Sequence, residues 1–314
     1  MPPQPFLRRT LQKLLIDAPL VYVDCGARAG RVPDWLRALK DTKYVGFEAD
    51  ADECARLNAQ PRLGHRYISA VLADRSSQRT FYVTRSAACS SLLQPNIPFL
   101  DQFALASLFQ LERQFNVETT TLTDSLAAAG VDSPDFIELD TQGSELEILS
   151  GAERLLATSV VGLQVEVEFG PMYVDQPLFA DVDQYLRDRH FCLLDISSHR
   201  VRRTATPATI ATRGQILWGH ALYLRDSREL EPGPAARLGV IAAMLDRPDI
   251  AAAALQQVAA SAPDKELRKR AGAALSAVTG QSGGLSRRSL FDRWRRQDAD
   301  SHLRASVNRT TWRD

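Results

Sequence analysis

The sequence predicts a doubly wound, mostly parallel α/β sheet followed by a small α-helical extension. Three observations carry this. Short apolar runs that end in an acidic residue alternate with stretches of helical period over residues 20–225. The first run leads into a small-residue turn, Asp24-Cys25-Gly26-Ala27-Arg28-Ala29-Gly30, of the kind that receives a ligand at the carboxyl edge of such a sheet. After the breaker cluster Glu231-Pro232-Gly233-Pro234 the chain becomes Ala-rich and loses its strand pattern.

Residues 6–17 have Leu7, Leu11, Leu14 and Leu15 on one side of a helix. The first strand, Leu20-Val21-Tyr22-Val23, ends at Asp24, and a helical stretch follows around Asp34–Lys40. Tyr44-Val45-Gly46-Phe47 is the second strand and ends at Glu48. A helix around Asp52–Ala59 leads to a third strand near Tyr67–Leu72. The middle is less regular: a short strand at Arg79–Thr84, a loop at Ser86–Pro98, a helix at Phe99–Leu111 and an alternating strand at Asn116–Leu122. The pattern then resumes with a strand at Phe136–Leu139, a helix at Ser144–Ala157, a buried strand at Val160–Val167 and a helix at Asp181–Arg189. The runs 191–196 and 216–224 have no helix between them, so they are expected to pair antiparallel at one edge. Three short helices, about 235–246, 249–261 and 264–278, form the extension. The expected organisation is therefore a main domain over 1–230, a helical piece over 231–280 and an Arg-rich, flexible tail over 281–314 with a helical piece at Ser289–Arg296.

Composition narrows the function. With 38 basic and 38 acidic residues the net charge is zero, which argues against a protein that blankets nucleic acid. The acids are unevenly placed, however: residues 134–183 hold eleven of them and one base, Arg154. No apolar run approaches the roughly 18 residues of a membrane helix, and the start lacks the pattern of a signal peptide. Four scattered cysteines, Cys25, Cys54, Cys89 and Cys192, fit reduced thiols in a cytoplasmic protein.

The turn after the first strand, together with Glu48 at the end of the second, points to a nucleotide-like ligand, because an acid there can accept both ribose hydroxyls. Two glycines spaced G-x-x-x-G, preceded by Asp24, do not suit a dinucleotide: a carboxylate there would repel pyrophosphate. It would suit the ammonium end of S-adenosylmethionine, which also carries a sulfonium and a ribose diol. A nicotinamide-dependent oxidoreductase is the less favoured reading on the same sheet, and no phosphate-loop motif occurs.

The chain at this point resembles the FkbM-type methyltransferase family. The resemblance lies in Val23-Asp24-Cys25-Gly26-Ala27-Arg28-Ala29-Gly30, Gly46-Phe47-Glu48-Ala49-Asp50, Thr121-Leu122-Thr123-Asp124-Ser125-Leu126 and the run Phe136–Ala152, which includes Asp140-Thr141-Gln142-Gly143-Ser144-Glu145. It departs from the family pattern at Arg28, where Asn is usual, and at Ala49, where Pro is usual. The resemblance implies a class I methyltransferase (Rossmann-like) fold with seven strands. It further implies methyl transfer from S-adenosylmethionine, usually to an oxygen of a sugar, glycan or natural product. Asp24, Gly26, Ala27, Gly30, Glu48, Asp74 and Gln142 are the expected cofactor residues, and Ser90-Ser91 are weighed with Asp74 for the adenine. Asp140 is expected near the transferring methyl as substrate ligand or base, or else as a plain helix cap with Ser144. Alternation puts Glu166 and Glu168 on one face of their strand, with Glu166 expected at the acceptor.

Asp140, Glu145, Glu166 and Glu168 have the chemistry to hold a hard divalent cation, yet we expect no metal. His190, His199 and His220 match no motif and read as core or surface residues. The expected partner is a small-molecule or glycan acceptor, with the C-terminal helices as either plain packing or a homo-oligomer surface. A non-catalytic interaction module is the alternative.

Overall fold

A computed structural model describes residues 4–280 apart from 61, 63 and 208; the expectations for 281–314 lie outside the described residues. Helix α1 (Pro5–Gln12) precedes β1 (Val21–Cys25), α2 (Asp34–Arg37), β2 (Lys43–Glu48), α3 (Ala51–Asn58) and β3 (His65–Ser69). The middle segment holds β4 (Val71–Leu72), β5 (Gln78–Thr84), α4 (Ile97–Leu100) and β6 (Leu111–Thr120). Then follow α5 (Leu122–Ala128), β7 (Phe136–Leu139), α6 (Glu145–Gly151), α7 (Glu153–Thr158), β8 (Gly162–Glu168), α8 (Phe179–Arg187), β9 (Phe191–Val201) and β10 (Gln215–Arg225). Three helices close the described chain: α9 (Pro232–Met244), α10 (Pro248–Ser261) and α11 (Lys265–Gly280).

Seven strands form the main sheet in the order β3-β2-β1-β7-β8-β10-β9. The first five of these run parallel, and β10 is antiparallel to both β8 and β9. The strand order reverses between β1 and β7, which opens a crevice at their carboxyl ends. This is the class I methyltransferase arrangement. The 191–196 and 216–224 runs do pair antiparallel, but the later strand lies inside the sheet and the earlier one takes the edge.

Local pattern misjudged three elements, each for a tertiary reason. The expected third strand splits at Ala70: β3 pairs with β2, while β4 joins a second sheet, β4-β6-β5. The expected helix over 99–111 is replaced by α4, a 3-10 turn at Ala106–Phe109 and the start of β6, whose residues pair with β5 from Leu111 onward. The single helix expected over 144–157 breaks at Ala152 (φ −107°, ψ 14°), which is fully buried.

Alternation along the strands gives the sheet two unlike faces. One carries Val23, Cys25, Val45, Phe47, Ile137, Leu139, Leu163, Val165, Val167, Ala221 and Tyr223, all buried in a cluster with α5, α6, α7 and α8 residues. The other starts equally apolar, with Tyr22, Tyr44, Phe136, Leu222 and Leu224. Those side chains pack against α1, α2 and the three C-terminal helices. Helix α9 is apolar apart from Arg237 and touches both β10 and α10, the pattern of a helix buried on most of its surface. Arg237 of α9 reaches the buried Asp135 with Nη1 to Oδ2 at 2.8 Å. Farther along the same strands this second face turns polar: Asp24, Glu48, Glu138, Gln164, Glu166 and Glu168 occupy its carboxyl half.

Candidate active site

Two cavities meet at the reversal of strand order. The larger, about 370 Å³, runs from Gly26 and Arg28 past Glu48 and Asp50 to Asp140, Thr141 and Gln142. The smaller, about 70 Å³, is walled by Leu105, Leu108, Phe109, Met172 and Trp218, with Asp140, Gln142, Glu166, His199 and His220 facing into it. Asp140 and Gln142 are common to both.

The larger cavity is built by the turn after β1. Gly26 has φ +103°, and a Cβ there would stand 2.1 Å from the Asp140 carbonyl oxygen, so the turn can hug β7 only with glycine. Glu48 ends β2 and is buried; burial raises its carboxyl above the usual range, against the opposing pull of the Asp50 N–H and of Arg28. Arg28 Nη1 lies 4.0 Å from Glu48 Oε1 and 3.9 Å from Asp50 Oδ2. Ala70, Val71 and Leu72 give an apolar wall, and Phe81, Val83, Phe115 and Val117 of the second sheet add another.

Of the residues expected at the cofactor, Gly26, Glu48 and Gln142 line this cavity, as does Ser90. Asp24, Ala27, Gly30 and Asp74 are not in its lining. Asp24 points to the polar half-face, where it accepts the Tyr44 hydroxyl. Ala27 packs against Gly46, and Gly30 makes room for Leu57 and Tyr67, so it serves helix packing. Asp74 sits behind Gly151 of α6, with Arg75 beside it at 3.8 Å.

The loop after β7 is held by its own side chains. Glu145 accepts Thr141 N (2.7 Å), Thr141 Oγ1 (3.0 Å) and Gly143 N (2.9 Å). Burial pushes its carboxyl up to about 7. That grip places Gln142 at φ +60°, a conformation rare outside glycine. From there its amide nitrogen donates to Asp140 Oδ1 (2.8 Å) and Glu166 Oε2 (2.7 Å), while Tyr173 donates its hydroxyl to Gln142 Oε1 (3.0 Å). Ser91 donates to the Gln142 carbonyl (2.8 Å). Glu166 and Glu168 both stand well above the carboxylate range, first through burial and then through neighbouring carboxylates.

His220 is the residue local reasoning passed over. In the antiparallel register it lies opposite Glu166, 6% exposed, with Nε2 3.8 Å from Asp140 Oδ2. The signal was available in principle. A strand antiparallel to β8 brings its amino-terminal half to the carboxyl ends of the parallel strands, where sites lie. His199, in β9, stacks on Trp218 at 4.9 Å and meets His220 edge-on.

The residues fit S-adenosylmethionine. The cavity lies in the size range of small-ligand sites. It offers the Glu48 carboxyl where a ribose diol would sit, apolar walls for a base, and Asp140 at the end where an ammonium group would lie.

A family model described as the methyltransferase FkbM domain matches residues 24–193, more than half of the chain. No curated protein matches the chain in sequence. Similar solved structures include a precorrin-6y C5,15-methyltransferase from Geobacter metallireducens, 12% identical, covering 71% of this chain and 88% of that one with a TM-score of 0.34. A magnesium protoporphyrin IX methyltransferase from Synechocystis with bound SAM is 14% identical, covering 70% and 78% with a TM-score of 0.31. A 1,6-didemethyltoxoflavin-N1-methyltransferase from Burkholderia thailandensis with bound S-adenosylhomocysteine is 13% identical, covering 71% and 79% with a TM-score of 0.31. At these scores the family match carries the assignment, and with it S-adenosylmethionine as cofactor. The chain belongs to the FkbM methyltransferase family.

Proposed function

We propose that this protein methylates a hydroxyl oxygen of a neutral sugar, glycan or natural-product acceptor whose reacting end enters the smaller cavity. The observation that carries the reading is the shared wall. Asp140 and Gln142 border both the nucleoside-sized cavity and the smaller one, so a donor in one and an acceptor in the other meet at these two residues.

S-adenosylmethionine supplies an electrophilic methyl on a cationic sulfur. The task left to the chain is alignment and proton removal. Gly26 leaves room for the donor, and Glu48 accepts its ribose hydroxyls. Gln142 fixes the carboxylates of Asp140 and Glu166 through one amide nitrogen. Asp140, with His220 beside it, takes the hydroxyl proton as the oxygen–methyl bond forms. The flat Trp218–His199 pair gives an apolar surface for a ring.

The acidic lining supports a neutral acceptor over an anionic one, because no Lys or Arg lines the smaller cavity among the described residues. Calorimetry with S-adenosylhomocysteine should show micromolar binding, and labelled-methyl transfer should favour hydroxyl acceptors. Absence of binding would sink the reading in favour of a non-catalytic module. Transfer confined to nitrogen or carbon acceptors would sink the hydroxyl assignment alone.

A further inference from the structure

We propose that Asp140, Glu166 and His220 bind one divalent cation, which holds and orients the acceptor hydroxyl. This rests on the proposed hydroxyl methylation and adds a component to its site: Asp140 gives the cation one carboxyl oxygen and keeps the other for the hydroxyl proton.

Each of the three offers one ligand atom, and these atoms all lie within 4.8 Å of one another. Ligands bonded to one cation at about 2.1 Å stand roughly 3–4 Å apart. The 3.8 Å between His220 Nε2 and Asp140 Oδ2 already falls there. The three come from separate elements: the end of β7, β8 and β10. Register makes Glu166 and His220 direct partners across the sheet.

Two further features distinguish this cluster from a solvated group of acids. The first is the burial of several carboxyl groups together. Glu166 and His220 are buried, at 4% and 6% exposure, with Glu145 and Glu168 buried behind them. Ionising such a group calls for positive charge beside it, and no Lys or Arg lines the cavity among its described residues. The second is prior orientation. Gln142 ties Asp140 to Glu166 through a single amide nitrogen and is itself fixed by Tyr173. Held carboxylates of this sort characterise metal ligands supported by outer hydrogen bonds. The gap among the three atoms opens into the smaller cavity, so a bound ion would keep positions for an acceptor oxygen and could polarise it as a Lewis acid. Two carboxylates and one imidazole suit Mn²⁺ and similar ions of intermediate hardness.

Mn²⁺ titration of the full-length protein, followed by electron paramagnetic resonance, tests this. One saturable site per chain is expected. Glu166→Gln and His220→Ala should each weaken it at least tenfold, while the exposed Glu112→Gln leaves it within twofold. Near-ultraviolet circular dichroism confirms that the variants fold. No saturable Mn²⁺ site in the wild-type protein overturns the proposal without recourse to any variant, and so does a site that both ligand variants leave unchanged. S-adenosylhomocysteine binding is read separately by calorimetry. If it binds while Mn²⁺ does not, the cation is lost and the methyl-transfer reading stands. If it does not bind, the methyl-transfer reading itself falls, and the cation's assigned role falls with it.

Discussion

The two faces of the central sheet come from the same strands, one residue apart, and they do different work. The face with Val23, Ile137, Leu163 and Val165 is apolar from end to end and covered by helices along its length. The opposite face is apolar only where α1, α2 and the C-terminal helices lie on it; beyond them it carries Asp24, Glu48, Glu138, Gln164 and Glu166. One face is a core. The other is half core and half site, and the boundary falls where the helical cover stops. A fold can thus keep a cluster of buried acids only because the same strands are anchored elsewhere by apolar packing.

Substitutions can break this contrast, and the largest effect should come from the polar half-face. Glu166→Gln keeps shape and removes an acidic oxygen that orients Asp140 and the acceptor, so methyl transfer should fall by about 10²-fold while the thermal midpoint holds or rises. A loss of fold stability without loss of turnover would show that Glu166 is structural. On the apolar face, Leu163→Ala should cost about 3 kcal/mol by denaturant titration, with turnover per folded molecule unchanged.

At the seam between core and cover, Arg237→Met strips Asp135 of its counter-ion. The cost should be about 2 kcal/mol at about pH 7.5, allowing for partial solvent screening. Burial holds the Asp135 carboxyl up at about 6, above its ordinary value of 3.8. The folded state therefore binds that proton more tightly than the unfolded state, and the penalty for the ionised form grows as pH rises from about 4 through about 6. The Arg237→Met cost should shrink at about pH 5, and an equal cost at both values would show that Asp135 does not titrate there. The smallest effect is on donor binding: Glu48→Gln should weaken S-adenosylhomocysteine about tenfold, the loss of one charged hydrogen-bonding site, as read by calorimetry.

How much was legible beforehand follows the same division. Val165 and Val167 against Glu166 and Glu168 announced the two faces by alternation alone. The turn at Gly26 and the acid at Glu48 announced the larger cavity, because both signals lie within a few residues of chain. The strand from 215 to 225 was legible as a strand, but its place inside the sheet was not. His220 is therefore invisible as a site residue until β10 is set against β8. Gly30, expected at the cofactor, depends on pairing in the same way: its neighbours are Leu57 and Tyr67 of adjacent elements. The C-terminal helices read as an appendix because their Ala-rich pattern carries no hint of what they cover.

The amino-acid sequence by itself determined the alternating α/β plan, the acids at the strand ends and the turn that admits a nucleoside-like ligand. These depend on period and on local backbone freedom, which each short segment carries within itself. Only the tertiary structure decided that Asp140, Glu166 and His220 converge, that Asp24 looks toward Tyr44, and that the last three helices complete the core. Those facts depend on which strand lies beside which, and that order is settled by burial across the whole chain.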